Sequence, residues 1–547
     1  MSWTRRARLA ALLVLLLGCL GQALGATAPR LIIVIVIDGL PQEQVLKYRD
    51  QYGPGGFNLL LQKGAWFGNA HQAHAVTLTA PGHTAVLTGA YPYQSGIIAN
   101  EWVDPATLAE TYCTGDPAHS YIGEETKKLD GTSPANLRVS TLGDELRYAN
   151  GLSKVLAVSG KDRGAILLAG KTGTAYMYMD KSGRFASSTY YMKEHPRWWE
   201  AFYANRPQDR WLGKSWTLAL PESAYARSIA DGQAWFLNYR GMGNRFPFVL
   251  PDGGGKPTAA YYGALIRTPY GDVATLDFAR AAVEGENLGR NAAGVPDLLG
   301  VSLSTHDYVN HAFGPESRES HDHLLQLDRA LASFFGYLAK RFGPESVLIA
   351  LTADHGFLNA PEYSSSLGFA GVHVDSQKLL AELNERLAAR FGAGTYAVRY
   401  SYPTVILDRK LIEEKKLAPA EVESSAARII AEYPGIAAVY TRTQLERGAL
   451  TGRLGTLVQR AWHRQVSGDL YVVQRPYAMF GGNAATHGSP YAYDTNVPLM
   501  LYGSPWIKAG AFTGYTEVVD LAPTLTFLLG TRPPSASEGR VLTEILR

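Results

Sequence analysis

The chain has 547 residues, 46% of them hydrophobic and 18% charged, with a formal net charge of +3. That balance excludes a largely disordered chain and gives no sign of a polyanion-binding protein, and the length fits either two or three average domains or one large α/β unit carrying insertions. Two cysteines in so long a chain exclude a disulfide scaffold.

The first segment carries Arg5, Arg6 and Arg8, an apolar stretch from Leu9 to Leu20 and then Ala23-Leu24-Gly25-Ala26, which match the charged, apolar and small-residue regions of a secretory signal. The apolar stretch is short for a bilayer span and no later segment reaches that length. The expectation is a signal peptide over residues 1–25 and an exported mature protein, periplasmic or extracellular, without a transmembrane anchor. In the alternative, Leu16-Leu17-Gly18-Cys19 is a lipoprotein cleavage site that leaves a lipidated Cys19. Removal of residues 1–25 takes away three Arg and no acid, so the formal charge falls to zero, and it leaves Cys113 without a partner for an internal disulfide.

Leu31-Ile32-Ile33-Val34-Ile35-Val36-Ile37 is unbroken aliphatic sequence and is followed by Asp38-Gly39. A run that is apolar on both faces predicts an interior strand of a parallel sheet. Strand-like and helical runs alternate over residues 30–170 and again from about 290 to 410, which predicts an α/β fold with a mostly parallel central sheet and helices on both faces. Between these blocks, residues 176–290 hold five of the ten Trp (Trp198, Trp199, Trp211, Trp216 and Trp235) and read as an insertion over the core. The less regular run from Asp297 to Ser304 leads to Asp307, and the run from Ser346 to Ala353 ends at Asp354-His355-Gly356. A second insertion is expected near 410–480, with a helix from Pro419 to Tyr433 and a strand from Ile436 to Tyr440. The sheet is expected to return at Val497-Pro498-Leu499-Met500-Leu501-Tyr502-Gly503. On this reading residues 26–547 form one catalytic domain.

Carboxylates thus recur at strand carboxyl ends, where an open α/β sheet gathers its ligand. For Asp38 alone a turn explains the Asp-Gly pair equally well. Asp307-Tyr308-Val309-Asn310-His311 places a carboxylate and an imidazole four residues apart, on one side of a helical turn. Asp354-His355 and Thr486-His487-Gly488 add further oxygen and nitrogen donors, a mixture that suits zinc and also accepts other divalent ions. In Thr77-Leu78-Thr79-Ala80-Pro81-Gly82-His83, Thr79 is placed to precede a helix with Pro81 in its first turn, and a helix N-terminus favours a phosphate. A plain Thr N-cap is the alternative.

The set Asp38-Gly39, Thr79-Ala80-Pro81-Gly82-His83, Asp307-x-x-x-His311, Ala353-Asp354-His355-Gly356 and Thr486-His487-Gly488 resembles the alkaline phosphatase superfamily, in order and approximate spacing. The likeness is strongest to the phosphate-irrepressible bacterial alkaline phosphatases, which use Thr as nucleophile. The resemblance implies two Zn2+ ions, one held by Asp307, His311 and His487, the other by Asp38, Asp354, His355 and Thr79. Monoesterases of this type also bind the phosphoryl oxygens with an Asn and a Lys-x-Arg pair, and Asn100 and Lys161-Asp162-Arg163 stand at matching places. A phosphate monoester carries roughly two negative charges near neutral pH, so cations beyond the metals suit it. The implied activity is hydrolysis of small phosphate monoesters through a phosphothreonine on Thr79, releasing inorganic phosphate, with no nucleic acid as a stable partner; oligomeric state is left open. A nucleotide pyrophosphatase/phosphodiesterase would share the metal ligands and the Thr but is not expected to carry the Lys-x-Arg pair. A sulfatase would need Cys or Ser at position 79, and a metal-dependent phosphoglycerate mutase would be cytosolic with a Ser. With the ligand positions filled, His71, His74, His306, His321, His323 and His373 are assigned to structure or surface.

Overall fold

Every residue of strand β1 (Leu31–Ile37) is buried in the computed structural model, which describes residues 28–448 and 450–547. Such a strand has no solvent face, and β1 has a parallel neighbour on each side: Asp297–Leu303 (below, β6) and Val347–Thr352 (β7). The sheet also contains, in chain order, β2 (Ala65–Phe67), β3 (Val155–Ser159), β4 (Thr174–Tyr178), β5 (Phe185–Ala186), β12 (Leu499–Tyr502) and β13 (Gly510–Phe512). The strands named β8 to β11 belong to a separate sheet described below. The nine-stranded order is β13-β2-β12-β7-β1-β6-β3-β4-β5. The five strands from β7 to β4 are mutually parallel.

The returning strand expected after Val497 is present as β12 but runs antiparallel to β7. An aliphatic run records burial and carries no direction, so the sequence left this open. The proposed signal segment and Cys19 lie outside the described residues. Among the described residues no helix is long and apolar enough to cross a membrane, and Cys113 is a buried free cysteine.

Register sets the height of the chain exits. Ile37 pairs with Leu303, Val36 with Thr352 and Ser302 with Ser159. The chain therefore leaves β1, β6, β7 and β3 at one level, the carboxyl edge of the sheet. Helices α2 (Asp162–Ala169), α3 (Pro269–Gly285), α4 (Thr305–Phe313) and α5 (Arg318–Phe342) follow or pack against these strands, and α1 (Thr79–Thr88) packs on α2.

The Trp-rich segment is built around buried indoles with hydrogen-bonded nitrogens. Trp216 Nε1 donates to Asp322 Oδ2 at 2.6 Å, and Trp199 Nε1 donates to the Phe185 carbonyl at 2.6 Å. A four-stranded antiparallel sheet lies apart from the main one, in the order β8 (Ala397–Ser401), β9 (Thr404–Leu407), β11 (Leu470–Gln474), β10 (Ile436–Thr441). It has its own apolar cluster, with Leu379, Leu383 and Leu387 from one helix and Val422, Ala426 and Ile430 from another.

Glu319, at the second position of α5, is fully buried, and neither carboxyl oxygen has a hydrogen-bond partner. Burial, with the Asp231 and Asp322 carboxylates nearby, pushes its carboxyl up to about 8. The folded state then holds a proton that the unfolded chain releases near its ordinary value. The contribution of Glu319 to stability is therefore full below about pH 4.5, falls as the pH rises, and stays low above about pH 8. Glu319→Gln is expected to raise stability above pH 8, by on the order of 4 kcal/mol, with the gain fading toward pH 5. Denaturant unfolding of both proteins at pH 5 and pH 9 checks this, and an equal difference at the two pH values would contradict it.

Candidate active site

Asp38 is the first residue after β1, and its N–H still donates to the Leu303 carbonyl of β6 at 3.0 Å. The next residue must turn away at once. Gly39 does so with φ +71°, and a Cβ there would meet the Phe357 ring at 3.1 Å and the Asp307 Cα at 3.2 Å, so the position requires glycine. Its N–H donates to Asp354 Oδ1 at 3.1 Å, which ties the ends of β1 and β7 together. Asp307 lies in the first turn of α4, with His311 one turn further on.

The carboxylates and imidazoles named from the sequence converge. Asp307 Oδ1 lies 3.4 Å from His311 Nε2, 3.5 Å from His487 Nε2 and 4.0 Å from His355 Nε2. His355 Nε2 is 3.5 Å from Asp38 Oδ1 and 3.4 Å from Asp354 Oδ2. Two sets have all their donor atoms within 4.8 Å of one another, Asp307/His355/His487 and Asp38/Asp354/His355. His355 is common to both, and its ring stacks on that of His487 with centroids 3.4 Å apart.

Main-chain carbonyls aim the three imidazoles. His311 Nδ1 donates to the Ala485 carbonyl at 3.0 Å, His355 Nδ1 to that of Gly356 at 2.9 Å, and His487 Nδ1 to that of Thr77 at 2.7 Å. Each bond fixes the tautomer and leaves Nε2 free to bind a cation. Burial lowers the His311 and His487 imidazoles from their usual range, which keeps them neutral as ligands must be. Burial would also lower His355, but Asp354 and Asp38 override it and bring it up to about 9.

Asp38 Oδ1, Asp307 Oδ1, Asp354 Oδ2 and His355 Nε2 are buried without a hydrogen bond. Buried polar atoms are rarely left so, and four of them converging from three strand ends fit a metal cation. The donor set of carboxylates and imidazoles without thiolate agrees with that. These residues are arranged as a candidate metal site.

Lys161, 6% exposed, reaches the same acids: Nζ contacts Asp307 Oδ2 and lies 2.8 Å from Asp38 Oδ2. Burial works against ionised Asp38 and Asp307, yet Lys161 outweighs it and holds both carboxyls below the usual range. Lys161 is the N-cap residue of α2, and Arg163 follows in its first turn. Arg163 Nη1 donates to the Tyr112 hydroxyl at 3.1 Å, and that hydroxyl donates to Asp162 Oδ1 at 2.5 Å. A cavity of about 360 Å³ opens beside Lys161 and Arg163.

Thr79 is 1% exposed and is the first residue of α1; the N-cap is Leu78, and no side chain caps the helix. The plain N-cap alternative is therefore corrected by one position, and the Thr79 hydroxyl is not spent on capping. His83, one turn on, donates from Nδ1 to the Thr79 carbonyl at 2.9 Å and lies 3.0 Å from Asp354 Oδ2, linking α1 to the acid cluster. Gly82 permits this approach, since a Cβ there would come within 2.1 Å of the Asp354 carbonyl oxygen. Asn100 Oδ1 accepts from the Ala80 N–H at 2.8 Å, which leaves the Asn100 amide as a donor near the same helix start. Sequence reasoning missed Tyr112, Asp162 and the three main-chain carbonyls. Tyr112 had no motif around it, Asp162 was the unread middle of the Lys-x-Arg pair, and a carbonyl has no side-chain identity to read.

The model of the type I phosphodiesterase / nucleotide pyrophosphatase family matches residues 32–494. The chain belongs to that family. Its relatives include the alkaline phosphatase PafA of Elizabethkingia meningoseptica, 32% identical, with 95% of this chain and 94% of the relative covered. A Myroides odoratus protein named a calcium-transporting ATPase is also 32% identical, with 95% of each chain covered. The crystal structure of wild-type alkaline phosphatase PafA is 30% identical over 95% of this chain and 100% of that one, with a TM-score of 0.87. The chain is a phosphatase of the alkaline phosphatase kind.

Proposed function

We propose that the chain is an exported two-zinc phosphomonoesterase that cleaves small phosphate esters through a phosphothreonine on Thr79. The observation that carries this reading is the placement of a buried Lys161 ammonium, with Arg163 two residues on, against the Asp38/Asp307 carboxylates. A dianionic monoester needs such cations more than a monoanionic diester does. Asp307, His311 and His487 would hold one zinc, and Asp38, Asp354, His355 and Thr79 the other. When bound, paired zinc ions supply Lewis acidity at the phosphoryl oxygens and favour ionisation of the attacking hydroxyl.

The protein's own groups do the rest. Thr79 gives up its hydroxyl proton to water, Oγ1 attacks phosphorus, the Oγ1–P bond forms as the ester P–O bond breaks, and the leaving alkoxide takes a proton from water. Water then attacks the phosphothreonine, the Oγ1–P bond breaks, and inorganic phosphate departs as Thr79 regains its hydroxyl. Lys161, Arg163 and the Asn100 amide neutralise the phosphoryl oxygens through both steps. Residues 26–547 are read as one catalytic domain with insertions near 176–290 and 410–480. The basic, apolar and small-residue order of residues 1–25 supports export.

The ratio of kcat/KM for p-nitrophenyl phosphate to that for bis-p-nitrophenyl phosphate, on zinc-loaded mature protein at alkaline pH, is expected to exceed one by about a hundredfold or more. A ratio below one would make the chain a phosphodiesterase on the same metals.

A further inference from the structure

We infer that Tyr308 and Arg267 are positioning residues for Lys161, an inference that rests on Lys161 binding the phosphoryl group. Tyr308 follows Asp307 on α4, and its ring lies 5.0 Å from Lys161 Nζ. The same ring carries a second cation, with Arg267 Cζ 4.3 Å from its centroid. Arg267 is 8% exposed, and its Nη1 donates to the Gly263 carbonyl at 2.6 Å and lies 3.7 Å from Asp180 Oδ2. Tyr308, Asp180, Lys161 and Arg163 line the same cavity.

The physical need is plain. A lysine side chain has four rotatable bonds, and holding its ammonium in one place costs rotamer entropy. An aromatic face offers a cation a favourable place to rest, and the gain grows where water is excluded. Arg267 stacks on that ring and is itself tied to a main-chain carbonyl, so it fixes the ring on which Lys161 rests. Residue 267 lies in the Trp-rich segment between the two blocks of the main sheet. That segment thereby reaches the phosphate side of the site, and it tunes the preference for a dianionic over a monoanionic ester.

The test compares Tyr308→Leu, Tyr308→Phe and Arg267→Ala, each alone and with Lys161→Ala, by kcat/KM on the monoester and diester and by calorimetric binding of inorganic phosphate. Tyr308→Leu is expected to lower monoester kcat/KM and phosphate affinity about tenfold, to leave the diester within about twofold, and to add nothing once Lys161 is Ala. Tyr308→Phe keeps the ring and is expected to stay within about threefold of the parent. Should Tyr308→Leu fail to fold, Arg267→Ala carries the same pattern at about threefold. Equal losses on both esters, or an undiminished loss in the Lys161→Ala background, would overturn the inference while leaving the site reading intact. A monoester-to-diester ratio untouched by Lys161→Ala alone would overturn both.

Discussion

Thr79→Ala is expected to keep its zinc and lose about a thousandfold or more in monoester turnover. The hydroxyl is the only group the substitution removes that has chemistry to offer, and it does no structural work: the helix is capped from Leu78 without a side-chain bond. On the proposed assignment Asp38, Asp354 and His355 would remain to hold the nearer ion, and the other three residues would be untouched. The fold should also persist, because α1 is packed along its whole length and alanine is a better helix former than threonine. Metal analysis, thermal unfolding and acid-quenched labelling with a radioactive monoester make the check. Near-normal metal content with no labelled protein is the expected pair of results, and retained turnover would remove Thr79 from the mechanism.

Lys161→Ala combined with Arg163→Ala is expected to lower monoester kcat/KM by about a hundredfold to ten-thousandfold and the diester by less than about tenfold. Each charged hydrogen bond to a phosphoryl oxygen contributes roughly 1.5–3 kcal/mol, and the two together span that range. A diester brings one charge fewer and offers fewer free oxygens, so it forfeits less. The substitution also strips Asp38 and Asp307 of their ammonium partner, so zinc content must be measured alongside to separate lost charge pairing from lost metal. Equal losses on the two esters at full metal content would count against the assignment of these residues to phosphate.

Some of this was legible in the sequence for simple reasons. Seven consecutive aliphatic residues, six of them β-branched and closed by Asp-Gly, favour an interior strand, and the four-residue spacing of Asp307 and His311 is set by helical geometry. Other features had no local signature. The direction of Leu499–Tyr502 against its neighbour depends on the path of the chain, and a short apolar run reads the same both ways. The contact of Lys161 with Asp307 joins positions 146 residues apart, and no pattern within either segment announces it. The start of α1 moved by one residue because a hydrophobic Leu78 occupies the cap position, where polar residues are the rule. Tyr308 sat inside a motif read only for its two ends.

The carbonyls of Thr77, Gly356 and Ala485 that hold the three imidazoles have a consequence for how the site tolerates change. Almost any residue can offer a main-chain oxygen, so the carbonyl at 485 asks for no particular letter to hold His311, whereas Thr77 also donates its hydroxyl to the Ser489 carbonyl at 2.8 Å, in the turn that carries His487. The number of letters is not free. A single residue gained or lost in either turn shifts which oxygen faces which ring and rotates a ligand out of the site. The identity of these supports is written in loop length, and homologues should therefore vary at 485 in residue type long before they vary in count.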